Sequence, residues 1–269
     1  MSDILQMSEV DIPFPSLEQL SEELRSLVGR SESAERCLSA SVEGVFVHPD
    51  GSRDPLGNCR VAPVALALIA HLSRSNPTDI SIDVGFGMGS SATMAMAARQ
   101  DLGDTFTHYA FDPWGLSDDG KGEVVERYVI AEFGDSYRRV RKPSEIGLGQ
   151  LLDERGAQCA GFIFIDGNHT FEQVITDFML ADGLCAVGGH ILFDDAEFPA
   201  IEAAVEYIRA NRDDYAVWHL PVANTSVIRK LSSEKPPWYR FRPFAVPQRV
   251  DWTPGKSTWD GSLPFAPLK

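Results

Sequence analysis

Between residues 80 and 231 the chain alternates short apolar runs with longer segments whose apolar positions recur at helical spacing. Ile80–Val84 reads as a buried strand, Ser90–Gln100 as an Ala/Met-rich helix and Phe106–Phe111 as a second strand. Helix Glu123–Phe133, strand Gly161–Ile165, helix Thr170–Cys185, strand Ile191–Phe193 and helix Ala200–Asn211 continue the series, with a weakly marked strand near Arg139–Arg141. Strands alternating with helices imply a parallel sheet covered on both faces. Tyr215–Leu220 and Thr225–Leu231 are too close together for a parallel crossover, so they form a hairpin and the last strand runs antiparallel. The expectation is an α/β fold: a doubly wound, Rossmann-like, seven-stranded sheet.

The flanks differ from this pattern. Ser16 can cap a helix over 17–29, with Leu17, Leu20, Leu24 and Leu27 on one face. Gly- and Pro-punctuated loop follows, with a short strand at Val45–Val47, and then a helix after Pro63. Residues 232–269 mix many prolines with Trp238, Trp252 and Trp259, which excludes long regular elements. Disordered tails are poor in aromatics, so the segment reads as an extended arm that packs on its own domain or on a partner subunit. The predicted organisation is a helical and loop cover over 1–60, the main domain over 61–231 and the arm over 232–269, with a homo-oligomer formed through the arm.

Composition narrows the function. At 269 residues and 43% hydrophobic, the chain suits one generous domain with appendages. Its net charge of −15 argues against nucleic acid as a partner, because phosphate binding needs clustered Lys and Arg. The one basic stretch, Arg138, Arg139, Arg141 and Lys142, reads as a solvated patch. The four cysteines are widely spaced and suggest neither a disulfide framework nor a zinc site. The acidic start lacks the features of a leader, and no run is apolar enough to span a bilayer, so the expectation is a cytoplasmic protein without a membrane partner.

Candidate chemistry falls at the carboxyl ends of the predicted strands, where such sheets bind ligands. The first strand runs through Asp83 into Gly85-Phe86-Gly87-Met88-Gly89-Ser90-Ser91 and then into a helix. Glycines allow a tight turn and close backbone approach to a ligand, and the helix start offers unpaired N–H groups. The register Gly87-x-Gly89-x-x-Ala92 fits a dinucleotide, whereas Asp83 suits a ligand with an ammonium group, such as S-adenosylmethionine (SAM). The second strand ends at Asp112, 23 residues after Gly89, where an acid can hold ribose hydroxyls. Asp166 follows the next strong strand, and Asp194 and Asp195 follow its neighbour. Three clustered acids call for a bound cation, with Mg²⁺ matching the hard oxygen donors, or for a raised pKa. Helix capping is the alternative reading of these acids. His169, three residues after Asp166, stands at the mouth of the same cluster as a proton acceptor or as a cap.

The D-x-G-x-G-x-G turn with an acid closing the next strand resembles the class I SAM-dependent methyltransferases. That resemblance implies that Asp83, Gly85, Phe86, Gly87, Gly89, Ser90 and Ser91 hold the methionine end of SAM and that Asp112 holds its ribose. It also puts Ser144 in the adenine loop. The stretch IFIDGNHTFEQVITDFMLADGLCAVGGHILFDDA is similar to the macrocin O-methyltransferase-like family, which acts on sugar hydroxyls of natural products, including antibiotics. It implies Asp166, Asp194 and Asp195 as Mg²⁺ ligands and His169 as base, with Asp166 beside it in catalysis. The acceptor implied is a small-molecule hydroxyl on a glycosidic or nucleotide sugar. Catechol methyltransferases share the plan, with Lys commonly at the His169 position and D-N in place of Asp194-Asp195. Catechol, carboxyl and N-methylation remain alternatives, as does an NAD-dependent oxidoreductase. Gly115–Gly122 reads as a lid.

Overall fold

The computed structural model describes residues 14–48, 50–113 and 121–247. Helix α1 (Leu17–Val28) opens with a reciprocal capping box, in which Ser16 Oγ accepts from the Gln19 N–H and Gln19 Oε1 accepts from the Ser16 N–H. A second helix, α2 (Glu32–Glu43), is capped by Ser31 and ends at Gly44, whose φ of 73° suits the left-handed stop. The sequence pattern does not reveal α2. Its buried face is Ala34, Cys37, Leu38, Ala40 and Ser41, too small and polar to give a strong apolar period. A two-stranded hairpin of β1 (Val45–Val47) and β2 (Arg53–Pro55) and a single turn at Gly57–Cys59 lead into α3 (Pro63–Arg74).

The main sheet follows: β3 (Ile80–Val84), α4 (Ser90–Gln100), β4 (Thr107–Phe111), α5 (Lys121–Phe133), β5 (Tyr137–Val140), α6 (Ser144–Arg155), β6 (Ala160–Ile165), α7 (Phe171–Leu184), β7 (Cys185–Phe193), α8 (Pro199–Asn211), β8 (Tyr215–Leu220) and β9 (Thr225–Lys230). Strand order is β5-β4-β3-β6-β7-β9-β8. β9 lies between β7 and β8 and is antiparallel to both, while the other adjacent pairs are parallel. The chain winds outward from β3 to β5 and then returns to β6, so the topological switch lies between β3 and β6.

Period-two alternation divides the core. Phe162 and Phe164 pack on the face covered by α1 to α5, whereas Ile163 and Ile165 pack on the face covered by α6, α7 and α8. Because α1 and α2 share the first of these layers with α3 and α4, the N-terminal cover is continuous with the main core. Helix α6 is the other element the pattern hides. It carries two glycines, and Gly147 is needed because a Cβ there would meet the Phe111 ring at 2.3 Å. No helix among the described residues is long and apolar enough to cross a membrane.

The described part of the C-terminal arm is tied to its own domain. Asp182, wholly buried on α7, meets Tyr215 Oη at 2.9 Å, Arg212 at 2.9 Å, Lys230 at 3.3 Å and the arm's Lys235 at 2.9 Å. Arg240 and Arg242 both pair with Asp213, and the Asn211 side chain exchanges two hydrogen bonds with the Arg242 backbone. Residues 248–269 lie outside the described residues, as does the expected lid up to residue 120, while its last two residues, Lys121 and Gly122, open α5.

Burial alone would raise the Asp182 carboxyl pKa, but Arg212, Lys235 and Tyr215 outweigh it and hold it below the usual range. Its contribution is therefore present at neutral pH and lost in acid. Asp182→Ala leaves the buried Lys230 with main-chain carbonyls alone and Arg212 with Asp214 alone, and is expected to cost about 3 kcal/mol, read as a lowered urea midpoint at neutral pH. The difference from wild type should shrink as the pH falls below the ordinary carboxylate range.

Candidate active site

The pairing of β3 with β6 sets Val84 opposite Ile165, so the residues that follow each strand, Gly85 and Asp166, are neighbours. The ladder runs on past the strand ends: Asp166 N–H donates to Val84 O at 2.8 Å, Gly85 N–H to Phe111 O at 2.8 Å and Asp194 N–H to Ile165 O at 3.1 Å. A Cβ at Gly85 would lie 2.1 Å from the Asp166 carbonyl oxygen, and its φ is +88°. Glycine there lets the turn and the acid loop share one edge of the sheet.

Around the glycine turn, Asp83 is fully buried with Ser81 and His108 on the face under α4. Ser91 Oγ donates to Asp83 Oδ2 at 2.6 Å, whereas Asp83 Oδ1 is buried without a hydrogen-bond partner. Burial, with a smaller push from the Asp166 charge, raises the Asp83 pKa to about 8. Phe86 donates its N–H to Asp112 Oδ2 at 3.1 Å, but its ring is buried beneath Gly89, where a Cβ would meet it at 2.7 Å. Its part in a ligand site is therefore its backbone. Ser90 is buried beside Cys37. Gly87 is roofed by Cys59 from the N-terminal segment, 3.2 Å from the place a Cβ would take.

One sequence expectation changes here. Arg139, read as part of a solvated patch, is buried: its guanidinium lies 4.9 Å from the Phe86 ring centroid and 3.8 Å from Asp112 Oδ1. Buried between the turn and Asp112, it neutralises charge that an exposed arginine would leave to water. Ser144 stands in the first turn of α6, and its Oγ donates to the buried Asp177 at 2.6 Å and accepts from Gln173 at 3.1 Å. Its hydroxyl is thus engaged with α7. Burial first, with the Glu145 charge behind it, raises the Asp177 pKa to about 6.

The acid cluster is compact. His169 Nε2 lies 3.3 Å from Asp166 Oδ1 and Nδ1 lies 3.6 Å from Asp195 Oδ2. Asp166, His169 and Asp195 bring one donor atom each within 4.8 Å of one another. Asp194 is buried beside them, and that set of converging atoms takes His169 in its place. Burial and the neighbouring carboxylates hold Asp194 well above its ordinary pKa and bring Asp195 to about 6. Asp166 is also raised, by burial, against the pull of His169. Burial opposes the His169 imidazolium, but Asp166 and Asp195 outweigh it and the pKa is raised. Helix capping does not account for these acids. Thr170 caps α7, and Phe198 followed by Pro199 begins α8.

Residues 82–196 match the sequence profile of a family described as a methyltransferase domain. The fold is that of a methyltransferase. A protein from Corynebacterium glutamicum superposes with a TM-score of 0.58 at 15% identity, over 82% of this chain and 99% of that one. An SAH-bound methyltransferase of Podospora anserina gives 0.55 at 16%, over 81% and 98%. An O-methyltransferase of Bacillus cereus in complex with SAH gives 0.54 at 15%, over 80% and 100%. No curated protein matches the sequence. The matched stretch contains every site residue expected from the sequence, and contacts from outside it also reach the acid cluster: the Phe198 ring lies 5.2 Å from that of His169. Asn224, in the β8–β9 turn, donates from Nδ2 to Asp195 Oδ1 at 3.1 Å.

Because the folded-state pKa of Asp83 is raised above 3.8, the folded state holds a proton that the unfolded state has released. Its contribution to stability is present in acid and declines as the pH rises toward about 8. Asp83→Asn should remove that slope, so the wild-type urea midpoint is expected to fall relative to the variant's between pH 5 and pH 8. Parallel curves for the two proteins would contradict an uncharged Asp83.

Proposed function

We propose that the chain is a SAM-dependent O-methyltransferase whose acid cluster takes a divalent cation and whose acceptor is a small-molecule hydroxyl, borne by a sugar of a natural product or by a nucleotide sugar. The observation that carries this reading is the shared edge of the glycine turn and the acid loop, with no room for a side chain at Gly85. A donor held by one element then faces an acceptor held by the other. The O-methyltransferase character draws on the Bacillus cereus neighbour, and the sugar acceptor draws on the resemblance of residues 163–196 to the sugar-modifying family.

The residues suit SAM. Asp83 sets a buried carboxyl under the turn, its Oδ1 without a hydrogen bond and 3.7 Å from His108 Nε2, which an ammonium would draw into the ionised form; the helix start of α4 suits a carboxylate, and Asp112 suits the ribose diol. When bound, SAM supplies an electrophilic methyl on a sulfonium. The acid cluster suits a divalent cation, because carboxylates whose pKa burial and mutual repulsion raise gain most from a positive charge. A cation there supplies Lewis acidity that lowers the pKa of an acceptor hydroxyl. Asp166 and Asp195 are the ligands, with Asp194 adding charge behind them. His169, beside Asp166 and Asp195, would take the hydroxyl proton as the acceptor oxygen bonds to the methyl and the bond from methyl to sulfur breaks, releasing SAH.

The test is SAH production across glycoside, nucleotide-sugar and catechol acceptors, each with Mg²⁺ and with EDTA. Turnover of a sugar acceptor that collapses in EDTA is expected, and turnover indifferent to EDTA would remove the cation from the reading. His169→Gln should lower kcat by about 100-fold with metal affinity retained, whereas Asp195→Asn should raise the metal concentration needed for half activity. The reverse split would exchange their roles.

The arm offers a surface for a second copy of the chain. Its backbone is pinned by Lys235, Arg240 and Arg242, yet Trp238 is 95% exposed, with Tyr239 and Phe241 beside it. Sedimentation equilibrium should report a dimer or larger assembly that Trp238→Ser weakens, and a monomeric wild type would overturn the assignment.

A further inference from the structure

We infer that Asn224 is a positioning residue for the proposed cation site, fixing the Asp195 carboxylate from a turn that lies outside the matched methyltransferase domain. The inference rests on the cation reading above and deepens it.

The register brings the two residues together. β7 and β9 pair antiparallel with Phe193 opposite Ser226, and continuing that register past the strand ends sets Asp195 opposite Asn224. Both residues occupy the left-handed backbone region, with φ of 49° for Asp195 and 50° for Asn224. Such a conformation is rare away from glycine and persists only where its surroundings over-determine it. For Asp195 those surroundings are Asn224. The Asn224 carbonyl accepts from the Ala196 N–H at 3.0 Å, its Oδ1 accepts from the Glu197 N–H at 3.1 Å, and its Nδ2 donates to Asp195 Oδ1 at 3.1 Å. Asn224 therefore holds the two residues that follow Asp195 and one oxygen of its carboxylate. The other oxygen, Oδ2, is left facing His169 Nδ1 at 3.6 Å, on the side where Asp166 converges.

The arrangement has the form of an outer hydrogen bond that orients a metal-ligating carboxylate. Removing it frees Asp195 to rotate and its loop to leave the strained conformation. It does not touch the donor site, which lies at β3 and β4 on the other side of β6.

Asn224→Gly separates the side chain from the turn. Glycine accepts φ of 50° readily and keeps the carbonyl bond to Ala196, so the hairpin is retained while both side-chain bonds are lost. Mn²⁺ binding to the full chain, followed by calorimetry and by the electron paramagnetic resonance of free Mn²⁺, is the readout, with SAH affinity and the thermal midpoint measured alongside. The expected result is Mn²⁺ affinity lower by roughly tenfold or more, with SAH affinity unchanged and the midpoint within about 5 °C of wild type. Equal Mn²⁺ affinity in the two proteins would overturn the inference and leave the cation reading standing. Loss of SAH binding together with Mn²⁺ binding would reduce Asn224 to a general structural role and overturn it as well. A wild type that takes no Mn²⁺ would sink the cation reading, and this inference with it.

Discussion

The site depends on the in-register pairing of β3 with β6. Asp83 apart, the chemistry lies outside the two strands, since both are buried and the other site residues begin where the strands stop. Setting Val84 opposite Ile165 forces the first residues of two loops into contact, and the only side chain that fits at one of them is none. A slip of one residue would flip each strand's apolar face and separate the glycine turn from Asp166. The phenylalanines and isoleucines that alternate along β6 are thus what fixes donor turn against acid loop.

The same pairing concentrates negative charge where it is hardest to bear. Asp83, Asp166, Asp194 and Asp195 all have raised pKa values, and burial is the largest cause in each case. A fold selected for stability alone would not gather them. Elsewhere the chain gives buried acids partners: Asp182 meets three cations, and Asp177 accepts from Ser144 and Gln173. The contrast between paired acids at the margins and cation-poor acids at the strand tips is what separates structural charge from charge held ready for a ligand.

Much of this was legible in the sequence, for physical reasons. Strands β3 and β6 announce themselves because they are buried on both faces, and the hairpin β8–β9 because its connection is too short to cross the sheet. Asp83, Asp112, Asp166 and Asp194-Asp195 were legible because each directly follows or closes such a strand. What stayed hidden lacked periodic contrast. Helix α2 buries small and polar residues, and α6 trades a side chain at Gly147 for the Phe111 ring. Arg139 looked solvated because local charge density says nothing about a ring lying over it. Ser144 could be placed near the right loop, but the direction of its hydroxyl is decided by Asp177, 33 residues away.

Asn224 shows the limit most clearly. Nothing in Pro221–Thr225 marks more than a turn, and asparagine is common wherever a backbone turns left-handed. Its second use arises only because β9 is inserted between β7 and β8, which brings a late hairpin against the loop after β7. Had the last two strands been added to the sheet in chain order, β8 would stand beside β7 and run parallel to it. The β8–β9 turn would then sit one strand farther from Asp195. The antiparallel insertion thus does more than close the sheet: it returns the chain to the acid cluster from the side opposite β6, so that Asp195 is gripped by one neighbour while it faces the other.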